Sequence, residues 1–477
     1  MTAGAAPRVA VVGGGVSGLA AAHRLRTQLG PAAEILLLEQ RDRLGGVLDT
    51  VDLAGTPVDV GAEAFLVRRP EVLDLVTELG LGDSLTHPTA ATATIRAGGR
   101  TVGLPRGTLM GVPGPAAALD GVLSADGLAR AAAEATRPLS WTPGSDVALG
   151  ALLRERFGPE VVDRIADPLL GGVYAGRVDA LGLRATVPAL ATALDDGAGS
   201  VTAAAGAGMA ASGQRAGTLA GPVFGALRGG YRELVDALAG AAKARVRTGV
   251  TVRALEHTGT GAAPDAWRLT LGPVPSPEYL DVDAVVLAVP APAVRRLLEP
   301  VVPAAAAAAG RIDLASSAVV ALAYRACDVT GMPATSGCLV AADEPLPVKG
   351  VTHSSAKWAH LGADGLVRIR ASTGRFGEEA GLQVDDDELV ARTRRALSEL
   401  DGIGAEPVAA HVARWGGGLP QYGVGHGDVV AALTGALAGV AGLEVTGAML
   451  HGVGVPACVG TARAAADRLA AGLVTPR

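Results

Sequence analysis

Residues 8–18 read Arg-Val-Ala-Val-Val-Gly-Gly-Gly-Val-Ser-Gly, and the fold follows from how they are arranged. Four apolar residues in a row, 9–12, predict a strand buried on both faces of a parallel sheet. Gly13, Gly15 and Gly18 then give G-x-G-x-x-G, and residues 19–29 continue with a helical pattern. In such a turn the first glycine permits the tight bend, the second lets a pyrophosphate approach the backbone, and the third lets helix and strand pack closely. The helix N-terminus adds free N–H groups and the positive end of a dipole. A second apolar run, 34–38, ends in Glu39, 21 residues beyond Gly18, where a carboxylate can hold a pair of ribose hydroxyls. Arg41-Asp42-Arg43-Leu44-Gly45-Gly46 follows at once. A nicotinamide site has no need of that second glycine pair, whereas a larger cofactor crossing the first site does. The combination points to FAD.

Composition narrows the class. At 477 residues the chain is expected to form two or three domains. It is 49% hydrophobic and only 18% charged, so it can bury a sizeable core. The formal charge is −6 and there is no long basic run, which argues against nucleic acid as a partner. Asparagine is absent and there are only three lysines, Lys243, Lys349 and Lys357, so anion sites are expected to use Arg. Cys327, Cys338 and Cys458 are odd in number and lack C-x-x-C spacing, which suggests a reduced, cytoplasmic chain without disulfides or zinc. The first strand begins near residue 8, which leaves no room for a signal peptide. The uncharged stretch 197–214 is rich in Gly, Ala and Ser, and the apolar run 429–443 is short. Neither reads as a transmembrane segment, although a peripheral apolar face is compatible with both.

Along the chain, 51–53 and 57–60 read as a hairpin, 70–79 as a helix, and 92–96 with 101–104 as strands. Residues 106–222 change character to short helices broken by Gly and Pro, ending in a low-complexity segment, 195–222, expected to be a mobile loop. From Gly225 the α/β pattern returns. A helix opens at Gly229-Gly230-Tyr231, strands follow at 246–248, 251–255 and 267–271, and a buried strand runs through 283–290. Strands recur within 315–374, and 385–400 is a helix with charged faces. The last unit is a strand at 443–446, a loop at 447–455 and a helix from Pro456, with proline favourable at its first position. These α/β pieces bracket two inserted blocks, so a discontinuous cofactor domain is the economical explanation.

The order of motifs resembles the FAD-dependent protoporphyrinogen/coproporphyrinogen oxidases of haem synthesis, within the amine-oxidase-like flavoproteins. Besides residues 9–46 it rests on Val60-Gly-Ala-Glu-Ala-Phe65, Leu104-Pro-Arg-Gly107, Pro168-Leu-Leu-Gly-Gly-Val-Tyr-Ala-Gly176 and Gly221-Pro-Val-Phe-Gly-Ala-Leu-Arg-Gly-Gly230. Pro420-Gln-Tyr422, Val424-Gly-His426 and Gly452-Val-Gly-Val-Pro-Ala-Cys458 complete it. The resemblance implies an α/β fold with an α+β substrate part. A discontinuous Rossmann-like FAD-binding domain would take 1–78, 223–292 and 410–477. A substrate-binding domain would take 79–105 and 293–409, and a mainly helical insertion 106–222. The chain is most similar to bacterial enzymes that form coproporphyrin III.

Aromatising a porphyrinogen requires the loss of three hydride–proton pairs, chemistry that belongs to the flavin. The resemblance therefore implies positioning in an apolar pocket, with O2 reoxidising the flavin and H2O2 released, and no catalytic residue is assigned. The eight histidines lack metal spacing, so no metal is expected; His426 and His451 stand out because their motifs lie near the cofactor. Gly13, Gly14, Gly15, Val16, Ser17 and Gly18 are assigned to the pyrophosphate, and Glu39 with Gln40 to the adenosine ribose. Arg43, Gly46 and Val47 should lie along the same face, Gly61, Ala62, Glu63 and Ala64 beside the isoalloxazine, and Val252 at the adenine. Trp415 and Gly452, Val453, Gly454 and Val455 should flank the flavin, which is expected to be non-covalent; 447–455 carries neither the cysteine for covalent attachment nor the aromatic cage that an amine oxidase would want. A substrate bearing propionates suits the bidentate fork of Arg, and the candidates are Arg68, Arg69, Arg106 and Arg177, with Tyr174, Phe224 and Tyr422 as apolar walls. Hand-over of product to a later haem-pathway enzyme is compatible with this reading. The alternatives are a protoporphyrinogen IX oxidase, an amine oxidase or carotenoid desaturase of the same superfamily, and a binding protein that retains the fold without catalysis.

Overall fold

The computed structural model describes residues 6–216, 222–259 and 266–474. Its first layer is a five-stranded parallel sheet in the order Arg245–Arg247, Glu34–Leu38, Arg8–Val12, Ala284–Leu287, Leu443–Val445. Every pairing is parallel, with Val11 opposite Leu37 on one side and Val286 on the other. The central strands are buried on both faces, which explains their unbroken apolar runs. Helices Val16–Leu29, Tyr231–Ala242 and Val455–Val474 cover one face through Leu19, Leu25, Leu234, Leu238, Val459 and Leu469. The other face packs on the antiparallel strands Val252–His257, Trp267–Leu271 and Glu278–Val282, and on helices Ala291–Leu298, Pro303–Ala309 and His426–Leu437. One core is thus assembled from stretches far apart in the chain.

A seven-stranded sheet forms the second layer, in the order Ala409–Pro420, Leu314–Arg325, Leu366–Thr373, Gly350–Thr352, Gly337–Val340, Ala93–Ala97, Arg100–Gly103. Helix Asp386–Asp401 covers one face with Leu389, Ala396 and Leu397. The opposite face meets Val60, Ala226 and Trp358. Residues 125–195 form short helices around a third core that includes Phe157, Leu170 and Leu190.

Three expectations are corrected. The segment 195–222, read as a mobile loop, contains helix Val201–Ala216; residues 217–221 lie outside the described residues. Its low complexity conceals good helix formers, and its N-terminus is capped by Glu134, whose carboxylate accepts the N–H groups of Val201 and Thr202 at 2.9 Å each. Residues 410–420, placed with the cofactor part, instead pair with Leu314–Arg325 as an edge strand of the seven-stranded sheet. Residues 291–309, mostly placed with the substrate part, pack against the cofactor sheet through Val294, Leu297 and Ala305.

Candidate functional site

The turn after the first strand is squeezed from two sides. Gly13 has φ +108° and its N–H bonds to the Leu38 carbonyl at 2.8 Å. A Cβ on Gly18 would sit 1.8 Å from the Gly13 carbonyl oxygen, so only glycine closes this turn. The helix starts at Val16, earlier than the sequence pattern suggests, which puts Val16, Ser17 and Gly18 in its first turn. Among the described residues no side chain caps that end. A Cβ on Gly15 would have only the Gly46 Cα nearby, at 3.9 Å, so this side of the cradle is open and leaves room for a pyrophosphate at the helix N-terminus. The second glycine pair locks onto the first, because Gly45 N–H donates to the Gly14 carbonyl at 2.9 Å.

Glu39 closes the other end of the cradle. Its carboxylate is buried and accepts the N–H groups of Gly14 at 2.6 Å and Arg41 at 2.8 Å. A carboxylate offers about four acceptor sites, so capacity remains for two ribose hydroxyls. Gln40 is exposed beside it. Arg43 is engaged locally, donating to the carbonyls of Leu44 and Gly46 at 3.1 Å and pairing with Asp49 at 3.0 Å. It therefore braces the loop on which exposed Val47 stands. Val252 is buried, and its carbonyl accepts from Arg296 at 3.0 Å.

Residues 60–63 are held from several directions. The Trp415 indole donates to the Val60 carbonyl at 3.1 Å, Arg370 donates to the Gly61 carbonyl at 2.7 Å, and Ala62 N–H reaches the Val47 carbonyl at 3.4 Å. Glu63 accepts from Lys357 at 2.6 Å and pairs with Arg370 at 3.3 Å. Burial opposes the Glu63 charge, but Lys357 and Arg370 outweigh it and hold the carboxyl down at about 2. Ala64, the next residue, is partly buried against the core of the second sheet. The Arg41 guanidinium stands 5.8 Å from the centre of the Trp415 ring.

The 447–455 loop is fastened by the pair of side chains singled out as wall and catalytic candidate. The Tyr422 hydroxyl accepts from Gly452 N–H at 2.7 Å and donates to the Ala448 carbonyl at 2.5 Å. His426 stacks on the Tyr422 ring, 3.8 Å between centres, and its Nε2–H donates to the Leu450 carbonyl at 3.0 Å. Burial pushes the imidazole pKa down, so His426 stands as a neutral clamp. Tyr174 lies 5.4 Å from Tyr422. Gly452 and Val453 are partly buried, Gly454 is exposed and Val455 is buried in the core. His451 is exposed and lines a groove with Leu437, Leu450 and Arg468, between helices His426–Leu437 and Val455–Val474.

The arginine candidates separate. Arg68 and Arg106 are exposed. Arg69 pairs with Glu71 at 2.7 Å, and Arg177 pairs with Asp167 at 3.1 Å and Glu378 at 2.6 Å. Phe224 is exposed and pairs across a short ladder with exposed Leu66. Sequence reasoning missed Lys357, Arg370, Lys349 and Arg375. The signal available was the scarcity of lysine: two of three are placed away from open solvent, Lys349 buried and Lys357 half-buried beside Glu63.

Residues 16–470 match the family of flavin-containing amine oxidoreductases. The coproporphyrinogen III oxidase of Mycobacterium tuberculosis (strain ATCC 25618 / H37Rv) is 44% identical over 453 residues, 95% of each chain. That of Bacillus subtilis (strain 168) is 29% identical over 96% of each. The chloroplastic protoporphyrinogen oxidase 1 of Arabidopsis thaliana is 26% identical over 94% of this chain and 85% of its own. Among solved structures, the cyclohexylamine oxidase of Brevibacterium oxydans IH-35A superposes with a TM-score of 0.71 at 18% identity, covering 98% of this chain and 100% of its own. That likeness is one of fold.

Proposed function

This chain belongs to the flavin-containing amine oxidoreductase family, and on that premise we propose that it oxidises coproporphyrinogen III to coproporphyrin III, with bound FAD as the acceptor and O2 as the final oxidant. The observation that carries this reading is the 44% identity to the mycobacterial coproporphyrinogen III oxidase across 95% of both chains, joined to a glycine cradle in which Gly13, Gly14 and Gly18 leave no room for a Cβ. Balanced, one porphyrinogen loses six hydrogens to three O2 and yields three H2O2.

When bound, FAD supplies the hydride-accepting chemistry. The protein's own residues position. Residues 13–18 and the free N-terminus of the first helix would hold the pyrophosphate, and Glu39 would hold the ribose. Trp415 and Arg370 bond the backbone of 60–61 and Lys357 bonds the Glu63 carboxylate, so this segment would present one fixed surface to the cofactor. The N-terminus of helix Val455–Val474 directs its positive end toward the preceding 452–454 segment and stabilises negative charge there. No side chain is needed as a strong base, which agrees with the neutral, hydrogen-bonded state of His426.

No described helix is long and apolar enough to cross a membrane. We place the chain in the cytoplasm, with peripheral membrane contact at the exposed Leu66, Val223 and Phe224 and hand-over of the porphyrin to a later enzyme. The test is anaerobic mixing of the yellow holoprotein with coproporphyrinogen III. The visible flavin absorbance should bleach, and return when O2 is admitted with H2O2 appearing. A flavin that stays oxidised with coproporphyrinogen III but bleaches with protoporphyrinogen IX would move the assignment to that substrate, and one that bleaches with neither would end it.

A further inference from the structure

Where the Leu366–Thr373 strand ends, a cavity of about 250 Å³ opens between the seven-stranded sheet and helix Asp386–Asp401. Leu346, Val348, Leu382 and Leu389 line its apolar side, and Lys349, Arg375 and Arg392 bring positive charge. Arg392 is already neutralised by Glu388 at 2.7 Å, and Glu378 is already taken by Arg177 at 2.6 Å. Lys349 is 8% exposed, and among the described residues its ammonium has no hydrogen-bond or ion-pair partner. The Arg375 Nε is buried without a hydrogen bond, and its nearest paired carboxylate, Asp167, is 3.9 Å away. Two cations thus border one small cavity whose own carboxylate, Glu378, is bonded to Arg177, and the pair from Arg375 to Asp167 is long, at 3.9 Å.

We propose that this cavity is a carboxylate-binding pocket in which Lys349 and Arg375 take one carboxylate between them. An ammonium mostly withdrawn from water and bonded to no carboxylate is unfavourable, and a bound anion removes that penalty. The guanidinium offers a planar donor edge and the ammonium a point charge, the combination that grips a carboxylate against an apolar wall. The volume admits a carboxyl group with a short alkyl stem and not a macrocycle. The pocket also abuts the helix Asp167–Tyr174 through the chain Arg375, Asp167, Arg177, and Phe376 N–H donates to the Ala175 carbonyl at 2.7 Å. It therefore adjoins the Tyr174 and Tyr422 pair. The carboxylate is either a propionate arm of the substrate, which rests on the porphyrinogen reading, or a free small carboxylate, which does not.

The scarcity of lysine makes the test direct. Protein labelled with ¹³C-lysine gives one Cε signal for each of three lysines, and the Lys349 signal is the one lost in Lys349→Arg. Burial, reinforced by Arg375, lowers the free ammonium to a pKa of about 8. A bound carboxylate should raise it by about one unit, a tenfold preference for the charged form. If coproporphyrin III produces the rise, the pocket takes a substrate arm; if propionate alone does, it takes a free carboxylate. Arg375→Gln should abolish the rise and Arg375→Lys restore it. Should neither ligand move the Lys349 signal in the holoprotein, the pocket proposal is wrong even if the oxidase assay succeeds. A rise with propionate in a protein that oxidises no porphyrinogen would uphold the pocket and overturn the function.

Discussion

Around residues 13–18 and 45–46 the working parts are backbone: carbonyls, N–H groups and glycines whose missing Cβ atoms define the cradle. Around Asp167, Glu378, Lys349 and Arg375 they are charged side chains, joined across long sequence separations such as the 201 residues between Arg177 and Glu378. The first region is coded locally and tolerates almost no added atom. The second is assembled only after the chain has folded, and its chemistry depends on which charges find partners.

Breaking the first region should have the largest effect. In Gly18→Ala the new Cβ would lie 1.8 Å from a backbone carbonyl, an overlap expected to cost more than about 3 kcal/mol. At about 1.4 kcal/mol per factor of ten that is about a hundredfold loss of affinity, so flavin absorbance per purified chain should fall below about a tenth of the wild-type ratio; retained FAD would show the turn to be slack. Arg156→Met probes the side-chain regime without touching the cradle. Arg156 and Glu134 form a fully buried ion pair at 2.8 Å that caps helix Val201–Ala216. Orphaning Glu134 should cost about 3–5 kcal/mol in a urea titration, with flavin content per folded chain unchanged.

Asp59 supplies a pH signature. Burial raises its carboxyl to about 6 despite hydrogen bonds from Thr50 and the Tyr231 N–H. The folded state thus prefers the protonated form. That contribution is fully present below the ordinary carboxylate pKa of about 4, is lost as pH rises through about 6, and amounts to on the order of 2–3 kcal/mol. Asp59→Asn should flatten melting temperature against pH between those values; an unchanged slope would assign it to other groups.

Glu39→Gln keeps the shape of the proposed ribose end and removes its charge. FAD affinity of the apoprotein, read by fluorescence quenching, should weaken by about tenfold to a hundredfold, as for hydrogen bonds to a charged group. The smallest effect belongs to Arg69→Ala. Its pair with Glu71 is half exposed, and stability should stay within about 0.5 kcal/mol by the same urea titration.

This division explains what could be read from the chain in advance. The glycine spacing, the apolar runs at 9–12 and 34–38 and the position of Glu39 are local signals, and the parallel sheet followed from them. Helix Val201–Ala216 was illegible as a helix because its cap, Glu134, lies on another helix. Strand Ala409–Pro420 looked like cofactor-domain sequence because its partner, Leu314–Arg325, is fixed by tertiary pairing. At the candidate site, Tyr422 and His426 carried a motif signal, but only the fold shows them stacked on each other and fastening 448–452. Lys349 and Arg375 gave no periodicity at all, since which charges meet and how closely is a property of three-dimensional surroundings.

The central claim is that a locally coded FAD cradle serves a side-chain-coded site for a carboxylate-rich porphyrinogen. Its most direct test is kcat/KM for coproporphyrinogen III against protoporphyrinogen IX, followed by porphyrin fluorescence with the purified holoprotein in air. The account predicts faster turnover of the tetracarboxylate. Equal or faster turnover of the dicarboxylate, or acceleration of neither, would contradict it.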